Sequence, residues 1–356
     1  MKIATLTLNP AIDRTIYCGK IKTGALNRAV SPSVMTHGGK GTNVSCVLKT
    51  LGVESTAYGF YGGDTGDLFM KLLEPYNINT DFTRVKSSTR MNIKIIAEDG
   101  ESTEFNEAGG LVEPSEIKNL LEKIRRDLDG IDFFFMSGSV PPGIGKEIYR
   151  DIIDLGDRTK FILDCDGEAL KLCMSNKKKP YMIKPNQFEL EQYCGKKFDL
   201  VGTPYMASGN FAITSGDGHD ISCPYEKIPA IIEVKEAEKK IFDETGVTVL
   251  CTLGEYGGIY CGVDGICYAA APRLEKHEIR GFAGAGDTFL PAFVAAHWGM
   301  MPSNGASGKP RPTGGSSSAE RALTFAVAAA TAKVTKPGTE MASPEEIAEM
   351  TARIGK

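Results

Sequence analysis

Short apolar runs alternate with amphipathic stretches along most of the chain. Ile3–Leu8, Phe133–Met136, Phe161–Asp164, Tyr181–Ile183 and Val247–Leu253 are brief, mostly β-branched or aromatic, and bounded by turn residues, which predicts strands. Pro114–Leu128, Lys146–Leu155 and Glu233–Glu244 are amphipathic and predict helices, and Pro114 followed by Ser115 and Glu116 suits a helix start. This alternation predicts an α/β fold with a mainly parallel sheet and helices on both faces.

One region breaks the pattern. Met91–Ala97 alternates, Asp99-Gly100 gives a tight-turn signal, and Thr103–Asn106 returns, which predicts an antiparallel hairpin with Asn92 and Lys94 on one face. Such a hairpin is either a lid over a site or an ordinary edge decoration. Two segments, 203–223 and 302–318, are rich in Gly, Ser and Pro and are expected to be surface insertions. With no internal repeat, residues 1–356 are expected to form one domain.

Composition narrows the function. The chain has 356 residues, of which 42% are hydrophobic and 24% charged, and its formal net charge is −4. That balance argues against a general nucleic-acid or anionic-membrane binder, so any phosphate site must be assembled locally. The apolar start of the chain is stopped by Asn9-Pro10, unlike a signal peptide, and no apolar run approaches the ~18 residues of a membrane span. The nine cysteines are scattered without a C-x-x-C pair, as expected of free thiols in a reducing cytoplasm.

Two glycine-rich turns carry candidate chemistry. Gly38-Gly39-Lys40-Gly41-Thr42-Asn43 precedes a helical stretch, Val44–Leu51, and is not a Walker loop. A glycine turn feeding a helix N-terminus lets backbone amides approach an anion, with Lys40 as a cation and Asn43 as a hydrogen-bonding amide. Gly281-Phe282-Ala283-Gly284-Ala285-Gly286-Asp287 precedes the apolar helix Thr288–His297. Amides of Gly284, Ala285 and Gly286 can form an anion hole. Asp287 is then either a helix cap or a general base, kept ionised near neutral pH by the helix dipole.

Polar loops follow successive strands, the exits where α/β sheets bind ligands. They include Asn9-Pro10-Ala11-Ile12-Asp13, Ser137-Gly138-Ser139 with Pro141-Pro142-Gly143, Lys184-Pro185-Asn186-Gln187-Phe188-Glu189, and Thr252-Leu253-Gly254-Glu255-Tyr256-Gly257-Gly258. Thr89-Arg90-Met91-Asn92-Ile93-Lys94 places two cations at the hairpin, suited to a sugar phosphate. His37, beside the first glycine turn, is read as a surface loop residue outside the site.

Taken in order, these motifs resemble the ribokinase-like (PfkB) carbohydrate kinases, in their 1-phosphofructokinase and tagatose-6-phosphate kinase branch, from Leu8 to about Thr339. The resemblance implies a doubly wound α/β fold with a small β-sheet lid that often serves as a homodimer clasp. It implies ATP as donor, Mg2+, and a ketohexose phosphate as acceptor, with fructose 1-phosphate the leading expectation and tagatose 6-phosphate the alternative. It also makes Asp287 the proton acceptor and Gly284, Ala285 and Gly286 the anion hole. Asp13, Gly39, Lys40, Asn43, Arg90 and Ser139 fall on substrate positions, and Asn92, Lys94 and Asn106 on the lid. Lys184, Asn186, Thr252, Gly254 and Gly257 fall on the nucleotide side, and Glu189 on a magnesium position, through water. Phe282 and Pro291 depart from the family's usual residues and bear on the nucleotide pocket. They motivate a different expectation, a sugar-phosphate-binding protein without turnover.

Overall fold

A computed structural model of the chain describes residues 1–98, 101–165, 167–198, 200, 229–302 and 318–354. The expected turn Asp99-Gly100 and the expected insertions at 203–223 and 302–318 lie outside the described residues, apart from Pro302 and Ser318.

The chain begins with β1 (Ile3–Thr7), β2 (Ala11–Cys18), β3 (Val34–Gly38) and α1 (Lys40–Thr50). Then come β4 (Thr56–Gly62), α2 (Gly63–Leu73), β5 (Asn79–Thr80), β6 (Thr83–Val85), β7 (Arg90–Ala97) and β8 (Ser102–Asn106). The middle alternates α3 (Pro114–Asp127), β9 (Phe133–Ser137), α4 (Ile148–Leu155), β10 (Lys160–Asp164), α5 (Gly167–Ser175), β11 (Met182–Ile183) and α6 (Gln187–Cys194). The remainder holds α7 (Pro229–Thr245), β12 (Thr248–Thr252), β13 (Gly258–Gly262), β14 (Gly265–Ala269), α8 (Ala285–His297), α9 (Ser318–Val334) and α10 (Pro344–Thr351).

The large sheet runs β14-β13-β12-β11-β10-β9-β1-β4-β5. Its pairs from β4 to β12 are parallel, and β13 and β14 close one edge antiparallel. Its strands read as continuous apolar runs because both faces are covered. Along β9, Phe134 and Met136 point into the core formed with α3–α7, while Phe133 and Phe135 point into the core formed with α1, α8, α9 and α10. Each such ring contributes about 1.5–3 kcal/mol by leaving water. The sequence pattern therefore predicts the layers correctly.

The second sheet, β3-β2-β7-β8, leaves the body directly after β1. The predicted hairpin is its β7–β8 edge, with Asn92 opposite Asn106 and Lys94 opposite Glu104. Because side chains alternate across a strand, Asp13, Asn92, Lys94 and Glu104 share one face of this lid. Ile12, Met91, Met35 and Phe105 share the other.

Helix α8 differs from expectation. Gly284, in the left-handed region at φ 79°, starts the helix at Ala285 rather than Thr288. Pro291 therefore lies inside the helix, not in its first turn. It offers no N–H to the Asp287 carbonyl four residues back.

Candidate functional site

The carboxyl ends of β1, β9 and β10 open under the lid into a cleft of about 400 Å³. Nine expected site residues line it: Asp13, Gly39, Lys40, Asn43, Arg90, Asn92, Ser139, Gly284 and Asp287. Residues from both ends of the chain meet there because α1 packs against α8.

The tight turn into α1 depends on glycine. A Cβ on Gly38 would lie 2.5 Å from the Asp13 carboxylate, so only a bare Cα lets the acid sit beside this turn. Asp13 accepts a hydrogen bond from Asn92 Nδ2 at 2.8 Å. Burial pushes its carboxyl up to about 6, with Asn92 and Arg90 opposing the shift.

Asp287, on the first turn of α8, accepts a hydrogen bond from Asn43 Nδ2 at 2.7 Å. Burial raises its carboxyl above the ordinary range, and Lys40 only partly offsets this. At this enclosed position desolvation outweighs the favourable helix end in setting the direction of the shift. Ala285 N–H bends back to the Phe282 carbonyl at 3.3 Å. That bond draws one expected anion-hole donor away from the cleft and leaves the turn's offering to Gly284 and Gly286.

An acid that sequence reasoning passed over holds the cations in place. Asp164, 1% exposed at the end of β10, pairs with Lys40 Nζ at 3.0 Å and with Lys184 Nζ at 3.4 Å. Burial opposes its ionisation, but Lys184 and Lys40 outweigh it and hold the carboxyl below its usual range. Burial likewise works against the Lys40 charge, and Asp164, Glu189 and Asp287 together raise its pKa. Asp164 ends β10, so the rule that ligands gather at strand exits is the one signal pointing to it, whereas Asp13, expected at such an exit, lies inside β2 because the chain re-enters a strand at Ala11.

The remaining expected residues stand around the cleft rather than in it. Lys94 forms an ion pair with Glu104 at 2.9 Å, and it is Glu104 that lines the cleft. Asn106 is exposed at the lid edge. Asn186 caps α6 through a box with Glu189: Glu189 N–H donates to Asn186 Oδ1 at 2.9 Å, and Asn186 N–H donates to Glu189 Oε2 at 2.8 Å. Burial raises the Glu189 carboxyl, against the pull of Lys184. Thr252 bridges to Asn186, which brings the Gly254–Gly257 turn beside the start of α6. Gly286 lies beside Lys184, whose Nζ is 3.7 Å from where a Cβ would stand.

Arg90 donates to the backbone carbonyls of Glu107 at 2.8 Å and Asn9 at 3.1 Å, and its buried Nε has no partner. Asn9 also donates to Ser139 Oγ at 3.1 Å, so Arg90 and Ser139 are tied to one residue. His37 is not a surface residue. It is 1% exposed on β3, packed edge-on against Tyr76, and lies outside the cleft lining. Among the described residues no three His, Cys, Asp or Glu side chains gather as a metal cage, and no helix is long and apolar enough to cross a membrane.

A family model described as pfkB family carbohydrate kinase matches residues 6–346. A curated relative, the 1-phosphofructokinase of Borreliella burgdorferi, is 32% identical over 295 residues, covering 83% of this chain and 84% of the relative. Among solved structures, phosphofructokinase-2 from Escherichia coli in complex with substrates and products aligns over 100% of both chains with a TM-score of 0.79 at 23% identity. Ribokinase from Thermotoga maritima aligns over 99% of both chains with a TM-score of 0.68 at 17% identity, a likeness of fold.

Proposed function

The chain belongs to the pfkB family of carbohydrate kinases, and we propose that it transfers the γ-phosphoryl group of ATP to fructose 1-phosphate, giving fructose 1,6-bisphosphate. One observation carries the mechanism: Asp287 sits at the amino end of α8, lining the cleft, with one carboxylate oxygen held by Asn43. A base for a sugar hydroxyl needs this combination of enclosure, orientation and raised pKa.

The acceptor hydroxyl gives its proton to Asp287 as its oxygen bonds to the γ-phosphorus. The bond from that phosphorus to the β–γ bridging oxygen breaks, and ADP leaves. Phosphoryl transfer asks a protein mainly for positioning and charge stabilisation. The amino end of α8, with Gly284 and Gly286, faces the charge of the group in transit, and Lys40 adds a full positive charge nearby. Asp13 suits the sugar hydroxyls. Arg90, with its unpartnered Nε, and Ser139 suit the phosphate already on the sugar.

Lys184, Asn186, Thr252 and the Gly254–Gly257 turn form the nucleotide side. Glu189, with the Asp164 carboxylate near it, fits a magnesium ion held through water. When bound, Mg2+ would neutralise charge on the ATP phosphates. A homodimer through the lid is part of the same proposal. It is supported by the apolar outer lid face, where Met35 and Phe105 are 42% and 58% exposed.

The test is ADP release with fructose 1-phosphate, fructose 6-phosphate, tagatose 6-phosphate and fructose. The highest kcat/KM is expected with fructose 1-phosphate. A preference for tagatose 6-phosphate would reassign the substrate, and turnover with none of the four would leave a binding protein.

A further inference from the structure

Lys333, near the end of α9, is 0% exposed. A buried ammonium is costly unless it is paired. Among the described residues no carboxylate lies within ion-pair distance of it, and its Nζ donates to the Gly338 carbonyl at 2.7 Å. Its position is specific. The Lys333 Cε lies 3.3 Å from where a Cβ on Gly284 would stand, beside the turn that starts α8.

We propose that Lys333 is the resident cation of this turn. It is a positioning residue that does not touch substrate, but its charge backs the amides of Gly284 and Gly286 and stabilises the phosphoryl group in flight. This inference rests on the kinase assignment above. Three features support it. Gly284 lines the cleft and Lys333 does not, so the ammonium adds to the helix dipole without being part of the cleft wall. The Gly338 carbonyl it holds belongs to the segment that carries Thr339 into the cleft lining. The charged groups around it are Asp287 on α8 and Glu340 and Lys336 on the segment after α9, and burial pulls its pKa down to about 8. A fold that needed only packing here would use an apolar side chain.

The test compares wild type with Lys333→Met, which keeps the length and removes the charge. The expected result is a fall in kcat of about tenfold to a hundredfold at pH 7, somewhat below the loss of a direct anion-hole donor. KM for the sugar phosphate should stay within about threefold and the Tm should not fall. Wild-type kcat should decline as pH rises through about 8, where Lys333 loses its proton, and the variant should lack that decline. A variant kcat within about twofold of wild type, or the same alkaline decline in both proteins, overturns the proposal.

A second measurement needs no turnover and therefore separates this inference from the kinase assignment. The affinity for AMP-PNP, an ATP analogue, is measured by calorimetry at pH 7 and pH 9.5. Severalfold weakening at pH 9.5 in wild type but not in Lys333→Met supports the resident cation even if no sugar phosphate reacts. Should the variant fail to fold, a wild-type affinity that is equal at the two pH values overturns it.

Discussion

Asn43, on the first turn of α1, donates a 2.7 Å hydrogen bond to Asp287, on the first turn of α8, across 244 positions of sequence. Asp287→Ala is expected to lower kcat by roughly 10²–10⁴-fold with AMP-PNP affinity retained, since it removes the base and not the nucleotide contacts. Asn43→Ala keeps the base but withdraws a donor that favours its ionised form. The acid limb of its kcat profile should therefore move to higher pH, as stopped assays from pH 5 to 8 will show. An unmoved limb would detach Asn43 from the base.

Asp13 makes stability and activity compete. Its folded-state pKa of about 6 lies above the ordinary value, chiefly because of burial, so the folded state holds this proton more tightly than the unfolded chain. Stability is thus lost as pH rises from about 4 to about 6 and stays lost at pH 7. Asp13→Asn should gain up to about 3 kcal/mol at pH 7 by urea unfolding while raising KM for the sugar phosphate. A destabilised variant would refute the first half.

Asp164 behaves in the opposite sense. Lys184 and Lys40 hold its pKa below the ordinary value, so it contributes stability above about pH 4 that is lost as pH falls further. Asp164→Asn strands Lys184 in the interior and leaves Lys40 half-buried, and about 3 kcal/mol should be lost at pH 7. Urea melts at pH 7 and pH 3 should show the gap between wild type and variant closing in acid.

The lid makes a prediction about assembly. Phe105→Glu combined with Met35→Glu places two charges on its apolar outer face and should convert a dimer to a monomer in sedimentation equilibrium. A wild type that is already monomeric at micromolar concentration removes the lid dimer.

Much of this was legible in the chain. Continuous apolar runs such as Phe133–Met136 marked strands buried on both faces, and the switch to alternation at Met91–Ala97 marked a sheet exposed to a cleft. The polar turns after β1 and β9 and the glycine turns before α1 and α8 pointed to the cleft lining, because such turns are local signals. What stayed hidden depends on burial. The upward shift of Asp287, the sealed position of His37 and the isolation of Lys333 follow from what packs around them, which no local pattern records. Asp164 carries no local signature because its two lysine partners lie 124 and 20 positions away in the chain, and the left-handed Gly284 begins α8 three residues before the apolar run that marks it in the sequence.

Lys40 and Asn43 sit one helical turn apart on α1, and each reaches a different acid: Asp164 on the sheet and Asp287 on α8. That single turn is therefore the common datum from which both the phosphate-facing charge and the proton acceptor are measured. A displacement of α1 misaligns the two together, so the site fails as a unit rather than by degrees. The chain can vary its loops elsewhere, but one residue gained or lost between Lys40 and Asn43 would rotate one acid's partner away while leaving the other in place.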